Sequence, residues 1–142
     1  MKRLLFLVGV MALLLSACAQ GAPSLTQGRE VTVDGKSYQV ITATQLKSML
    51  DSKDFLLVNV HIPYAGEIRG TDLFVPYSAI EQNLNKLPAD KGAKIVVYCR
   101  SGTMSDVAAK TLARLGYTDI RDVEGGMVAW EKAGYQLVQS PK

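Results

Sequence analysis

The sequence predicts an α/β protein: a single domain with an open, mostly parallel sheet flanked by helices on both faces. Three observations carry this. Residues 55–60 (FLLVNV) and 95–98 (IVVY) are nearly continuous apolar runs, as in strands buried on both faces. Helical patterns stand between and after such runs, so strands alternate with helices. The 142 residues suit one domain with one core.

The elements follow in chain order. Residues 30–33 and 38–41 read as two strands joined at Asp34-Gly35, a strong hairpin-turn signal. Thr44 is placed to cap a short helix with Leu46, Met49 and Leu50 on one face. Residues 55–60 form the first long strand, and residues 81–87 a short helix stopped by Pro88. The second buried strand is 95–98. Residues 105–115 make a stronger helix, with Val107, Ala108, Leu112 and Leu115 as its apolar stripe and Gly116 as its stop. A third strand, 120–123, leads through Gly125-Gly126 into a helix over 127–133, ended at Gly134. In such a sheet, ligands bind beyond the carboxyl ends of the strands.

Before this domain the chain reads as an export leader. Lys2 and Arg3 precede an apolar run, residues 4–15, that is short of the ~20 residues of a membrane-spanning helix. The run ends in Leu15-Ser16-Ala17-Cys18, which resembles the lipobox of bacterial lipoproteins. That resemblance implies a signal peptide over 1–17 and a lipidated Cys18. Residues 18–29 would then form the acylated end and a Gly/Pro/Ser/Gln tether, with a reach of roughly 15–20 Å, ahead of a domain over 30–142. The protein is expected to be extracytoplasmic and held at a membrane by its acyl chains. Loss of Lys2 and Arg3 leaves fourteen of the sixteen basic residues against thirteen acidic ones. That balance makes no electrostatic case for nucleic-acid binding. No cofactor or metal is expected, and the domain is expected to be monomeric.

Cys99 is the residue on which the functional reading turns. It ends an apolar strand and is followed by Arg100-Ser101-Gly102-Thr103-Met104-Ser105 and a helix. A short turn at a helix N-terminus offers converging N–H groups that bind anions and favour a thiolate. Gly102 admits backbone angles other residues resist, Arg100 adds a fixed positive charge, and Ser105 is placed as the helix N-cap. With Cys18 committed to lipid, Cys99 has no disulfide partner, and a lone exported thiol points to reactivity.

These residues resemble the rhodanese (sulfurtransferase) family. The match runs through YCRSGTMS, Leu115-Gly116-Tyr117, Val123-Glu124-Gly125-Gly126, Ala129-Trp130 and Gly134-Tyr135, and covers about residues 38–137. The resemblance implies that Cys99 is the nucleophile and persulfide carrier. It implies also that residues 100–104 hold the persulfide and donor oxyanion on their N–H groups, and that Ser105 offers its hydroxyl. A small-molecule sulfur donor and a thiol or cyanide acceptor would be the partners.

The chain departs from the family at three places. Met104 stands where many members have arginine. Asn59-Val60-His61 stands for Asp-Val-Arg, and Gly66-Glu67-Ile68 for Gly-His-Ile. Arg69 is a candidate replacement for the missing charge. His61, the only histidine, reads as a solvated or hydrogen-bonded loop residue, Glu67 and Asp72 as a capped loop, and Trp130 as a core anchor. A cysteine phosphatase or arsenate reductase needs His-Cys-x₅-Arg; Tyr98 and Ser105 occupy those two defining positions. A non-enzymatic rhodanese-like binding module is the other alternative.

Overall fold

The computed structural model describes residues 28–139. The leader, Cys18 and most of the tether lie outside the described residues. The chain opens with a hairpin of β1 (Arg29–Val33) and β2 (Lys36–Ile41), paired antiparallel. Its turn is Asp34-Gly35, with both residues at positive φ, 50° and 71°, the backbone that matches strand twist in a two-residue hairpin.

β2 runs directly into α1 (Ala43–Leu50). The cap is Thr42, not Thr44 as the sequence suggested. Thr42 is still extended, its Oγ1 accepts from Gln45 N at 3.2 Å, and Gln45 Oε1 accepts from Thr42 N at 2.8 Å. This reciprocal box satisfies two orphan donors at once. A cap on Thr44 would have left both to solvent.

The remaining elements are β3 (Leu56–Asn59), β4 (Glu67–Ile68), β5 (Leu73–Phe74), β6 (Ile95–Tyr98), α2 (Thr103–Arg114), β7 (Ile120–Val123), α3 (Gly126–Lys132) and β8 (Leu137–Val138). The main sheet has the order β1-β2-β7-β6-β3-β5; every pair after the hairpin is parallel. β4 and β8 form a small antiparallel pair. The helix expected over 81–87 is instead a 3₁₀ segment, Glu81–Lys86, broken at Asn83 (φ −117°, ψ 24°). Asn83 Nδ2 donates to Ala79 O at 2.8 Å. Such local side-chain bonds compete with the α-helical ladder.

Two apolar cores sandwich the sheet. Ile95, Val97, Val58, Val60 and Ile120 pack with Ala108, Ala109 and Leu112 of α2. Val96, Tyr98, Leu57 and Val123 pack with Leu46 of α1 and Met127 and Trp130 of α3. The period of two along β6 therefore sends Ile95 and Val97 to one helix layer and Val96 and Tyr98 to the other. α2 buries small residues, Ala108, Ala109 and Ala113, around Leu112. That face excludes Val107, which the expected stripe included and which is exposed.

Candidate functional site at the carboxyl end of β6

The strand alternation that places Ile95 and Val97 under α2 continues one step to Cys99, which belongs to the same core layer. The thiol thus faces the N-terminus of α2. Cys99 is 1 % exposed, and it is the free cysteine of the described residues. Gly102, with φ 100°, is the residue before the helix. Its left-handed backbone turns the chain so that its own N–H donates to Cys99 Sγ at 3.0 Å. The first helical N–H groups, those of Thr103 and Met104, have no acceptor within the helix and stand at the same end.

α2 begins at Thr103, so Ser105 is not its N-cap. It lies within the first turn, fully buried, with Oγ 3.1 Å from Gly102 O and 3.6 Å from Cys99 Sγ. The serine hydroxyl is turned inward, towards the sulfur.

The loop is held from behind by α3. Met127 N donates to Cys99 O at 2.9 Å and Val128 N to Arg100 O at 3.0 Å. Both carbonyls are thereby tied back into the protein. The Gly125-Gly126 pair, expected as a tight turn, also makes this close approach possible: a Cβ on Gly126 would meet Cys99 O at 2.1 Å.

A cavity of about 290 Å³ opens onto the thiol, lined by His61, Tyr77, Cys99, Arg100, Ser101, Thr103, Met104 and Val107. The residues expected to bind substrate thus sort by position. Arg100, Ser101, Thr103 and Met104 border this cavity, while Gly102 and Ser105 contact the sulfur without lining it. Met104 presents a half-buried thioether packed on the core. Arg69 does not replace the missing charge: it lines a different cavity, with Trp130 and Tyr135. The cationic side chain in the wall of the thiol cavity is Arg100.

His61 is a wall of the cavity rather than a solvated loop residue. Its Nδ1 is buried without a hydrogen-bond partner. Burial, and then the Arg100 charge, push its pKa down, so the ring is neutral at neutral pH. Asp72 accepts from Leu57 N and pairs with Lys53. Trp130 is buried and donates to Gln136 O, as expected of a core anchor.

One residue of this neighbourhood escaped sequence reasoning. Asp122 of β7 is 4 % exposed, and its Oδ1 is buried with no hydrogen-bond partner. The signal was present: alternation puts Ile120 and Asp122 on the face where an apolar residue is due.

A buried strand-end thiol in a glycine turn, facing an N–H donor and at the floor of a cavity, defines a class: α/β domains that present one sulfur to a pocket. The comparisons specify the family. The model of the rhodanese-like domain matches residues 42–133, and the chain belongs to that family. It is 32 % identical over 92 residues to a sulfurtransferase of Allochromatium vinosum, covering 63 % of this chain and 84 % of that one. It is 35 % identical over 97 residues to the probable adenylyltransferase/sulfurtransferase MoeZ of Mycobacterium tuberculosis, where 65 % of this chain spans only 24 % of the relative. A rhodanese-related protein of Thermoplasma volcanium has the same fold, with a TM-score of 0.63 and 30 % identity over 72 % of this chain and all of the other.

Proposed function

We propose that the protein is a lipid-anchored, extracytoplasmic sulfurtransferase that carries sulfane sulfur on Cys99. The observation that supports this most is the Gly102 N–H set on Cys99 Sγ at 3.0 Å, at the floor of a cavity. A thiolate there attacks the outer sulfur of a donor. With thiosulfate, the S–S bond breaks, sulfite leaves with the electron pair, and Cys99 becomes a persulfide. A thiol or cyanide acceptor then attacks the outer sulfur and returns the thiolate. Donors aimed at where negative charge develops supply the stabilisation. The reading of the anchor rests on the Leu15-Ser16-Ala17-Cys18 motif.

Mass spectrometry of the intact protein after incubation with thiosulfate and with organic persulfides tests the reading. A gain of one sulfur on Cys99 is expected, and none in Cys99→Ser. A folded protein that gains no sulfur from any donor would falsify it.

Met104 bears on the choice of donor. It adds no charge to a cavity whose cation is Arg100, which favours an uncharged or singly charged persulfide over thiosulfate. Met104→Arg adds a charge-assisted contact and should improve thiosulfate use by about tenfold in kcat/KM. A steady-state assay with cyanide as acceptor reads this directly. The same apolar side chain favours the second reading, a non-catalytic rhodanese-like module. A cellular role that survives Cys99→Ser would establish it.

A further inference from the structure

Arg69 and the cavity it lines are unused by the chemistry above. That cavity holds about 620 Å³, roughly twice the volume at the thiol, and Cys99 is not in its wall. Its size falls within the range of about 300–1,000 Å³ usual for small-molecule sites.

Three parts of the fold enclose it. α1 supplies Leu50 from its last turn, α3 supplies Trp130, and the β4–β8 pair supplies Leu137. Gly70 and Gly134, at φ 95° and 89°, turn the chain at the rim just beyond β4 and α3. Leu50, Tyr135 and Leu137 pack half-buried against the core that contains Trp130. The surface the core leaves uncovered makes an apolar wall. The Trp130 and Tyr135 ring centroids are 4.6 Å apart. The indole N–H already donates to Gln136 O, so this wall offers ring surface and not a donor.

Charge enters from the rim. Lys47, Lys53 and Arg69 line the cavity with one carboxylate, Asp51. Lys47 is paired with Asp51 at 2.7 Å. Lys53 is paired with Asp72, which lies outside the lining. Arg69 has no ion-pair partner among the described residues. One guanidinium is therefore uncompensated beside apolar surface. Its planar fork matches a carboxylate through two parallel N–H bonds, and an aromatic ring suits the Trp130–Tyr135 wall.

We propose that this cavity is a second binding site, for a small monocarboxylate with an aromatic body. The Arg69 guanidinium takes the carboxylate, and Trp130, Tyr135 and Leu137 take the ring. A neutral compound leaves Arg69 unpaired. A second negative charge finds only lysines already neutralised. Acetate carries the charge but has no body to cover the wall. The site goes beyond sulfur transfer and needs no chemistry at Cys99, so its test stands apart from that of the persulfide.

Trp130 is the single tryptophan of the chain, and its fluorescence reports on the cavity. 3-Phenylpropionate, its neutral amide and acetate are titrated into the intact protein. The acid is expected to give a saturable change with a Kd on the order of 1 mM. The amide should bind about tenfold more weakly, and acetate should give no change. Arg69 is exposed, so its replacement leaves the core untouched. Arg69→Gln should bring the acid down to the level of the amide and leave the amide unaffected, while Arg69→Lys keeps part of the difference.

Equal affinities for acid and amide overturn the proposal, as does a preference for the acid that survives Arg69→Gln. No saturable change up to about 20 mM acid overturns it outright. Should Arg69→Gln fail to fold, phenylglyoxal modification of the native protein decides the matter, with each arginine peptide quantified by mass spectrometry. The acid should slow modification of Arg69 and not of Arg100. No protection of Arg69, or equal protection of both, overturns the site.

Discussion

Alanine at Gly126 is expected to destabilise the domain by about 4 kcal/mol or more, enough to leave little folded protein. Gly126 has φ 51°, and an added Cβ would lie 2.1 Å from Cys99 O, 2.9 Å from Cys99 C and 3.0 Å from Arg100 C. Left-handed backbone alone costs a residue with a Cβ about 1 kcal/mol. The larger cost is the clash. The atoms met are backbone, and they belong to the strand end that Met127 N and Val128 N hold in place. Relief of the contact would pull Cys99 O off α3 and carry the thiol loop with it. Gly116 is the control: it too has positive φ, 93°, but nothing lies within 4 Å of its Cβ position. Gly116→Ala should therefore cost only about 1 kcal/mol. Thermal unfolding followed by circular dichroism separates the two. Equal losses at both positions would show that backbone angle and not close packing governs Gly126.

Asp122→Asn is expected to stabilise the protein at neutral pH by on the order of 2 kcal/mol. The folded pKa is about 6 against an ordinary 3.8, so burial penalises the charged form in the native state. Between about pH 4 and pH 6 the unfolded chain has released this proton and the native chain has not. The native state then binds more protons, and stability falls as the pH rises through that window, reaching a plateau above it. Asparagine does not titrate and escapes the loss. The gain should be present at pH 7.5 and nearly absent at pH 4, as read from urea unfolding at each pH. Asp106, whose pKa is shifted the other way, is common to both proteins and cancels in the comparison. A gain of the same size at both pH values would mean that repacking, and not charge burial, is responsible.

The sheet was legible because its signals are local. Residues 55–60 and 95–98 announce buried strands by composition alone, and Asp34-Gly35 and Gly116 mark a turn and a helix stop through backbone freedom. The Cys99 loop was legible for a similar reason. A strand end, a glycine turn and a helix start are contiguous in the chain, so the Gly102 N–H meets a sulfur only three residues away. The misplaced features involve competition between neighbours. Thr42 took the cap from Thr44 because only Thr42 has Gln45 at the reciprocal spacing. Asn83 broke a helix by bonding Ala79 O. Val107 lost its place on the stripe because α2 lies on the sheet along Ala109 and Ala113.

The sequence by itself determined the alternating architecture, the membership of Cys99 in a glycine turn, and the absence of the arginine that Met104 replaces. Each depends on residues close together in the chain. Only the tertiary structure decided that Arg69 faces another cavity, that His61 and Arg100 wall the thiol site, and that Asp122 is buried beside Val97 on the strand next to β6. Those relations are set by the parallel register of β6 on β7 and by the seating of α2 across them. Register is a pairing between distant segments, chosen by the packing of both faces at once, and no local pattern around Asp122 specifies which strand will lie beside it.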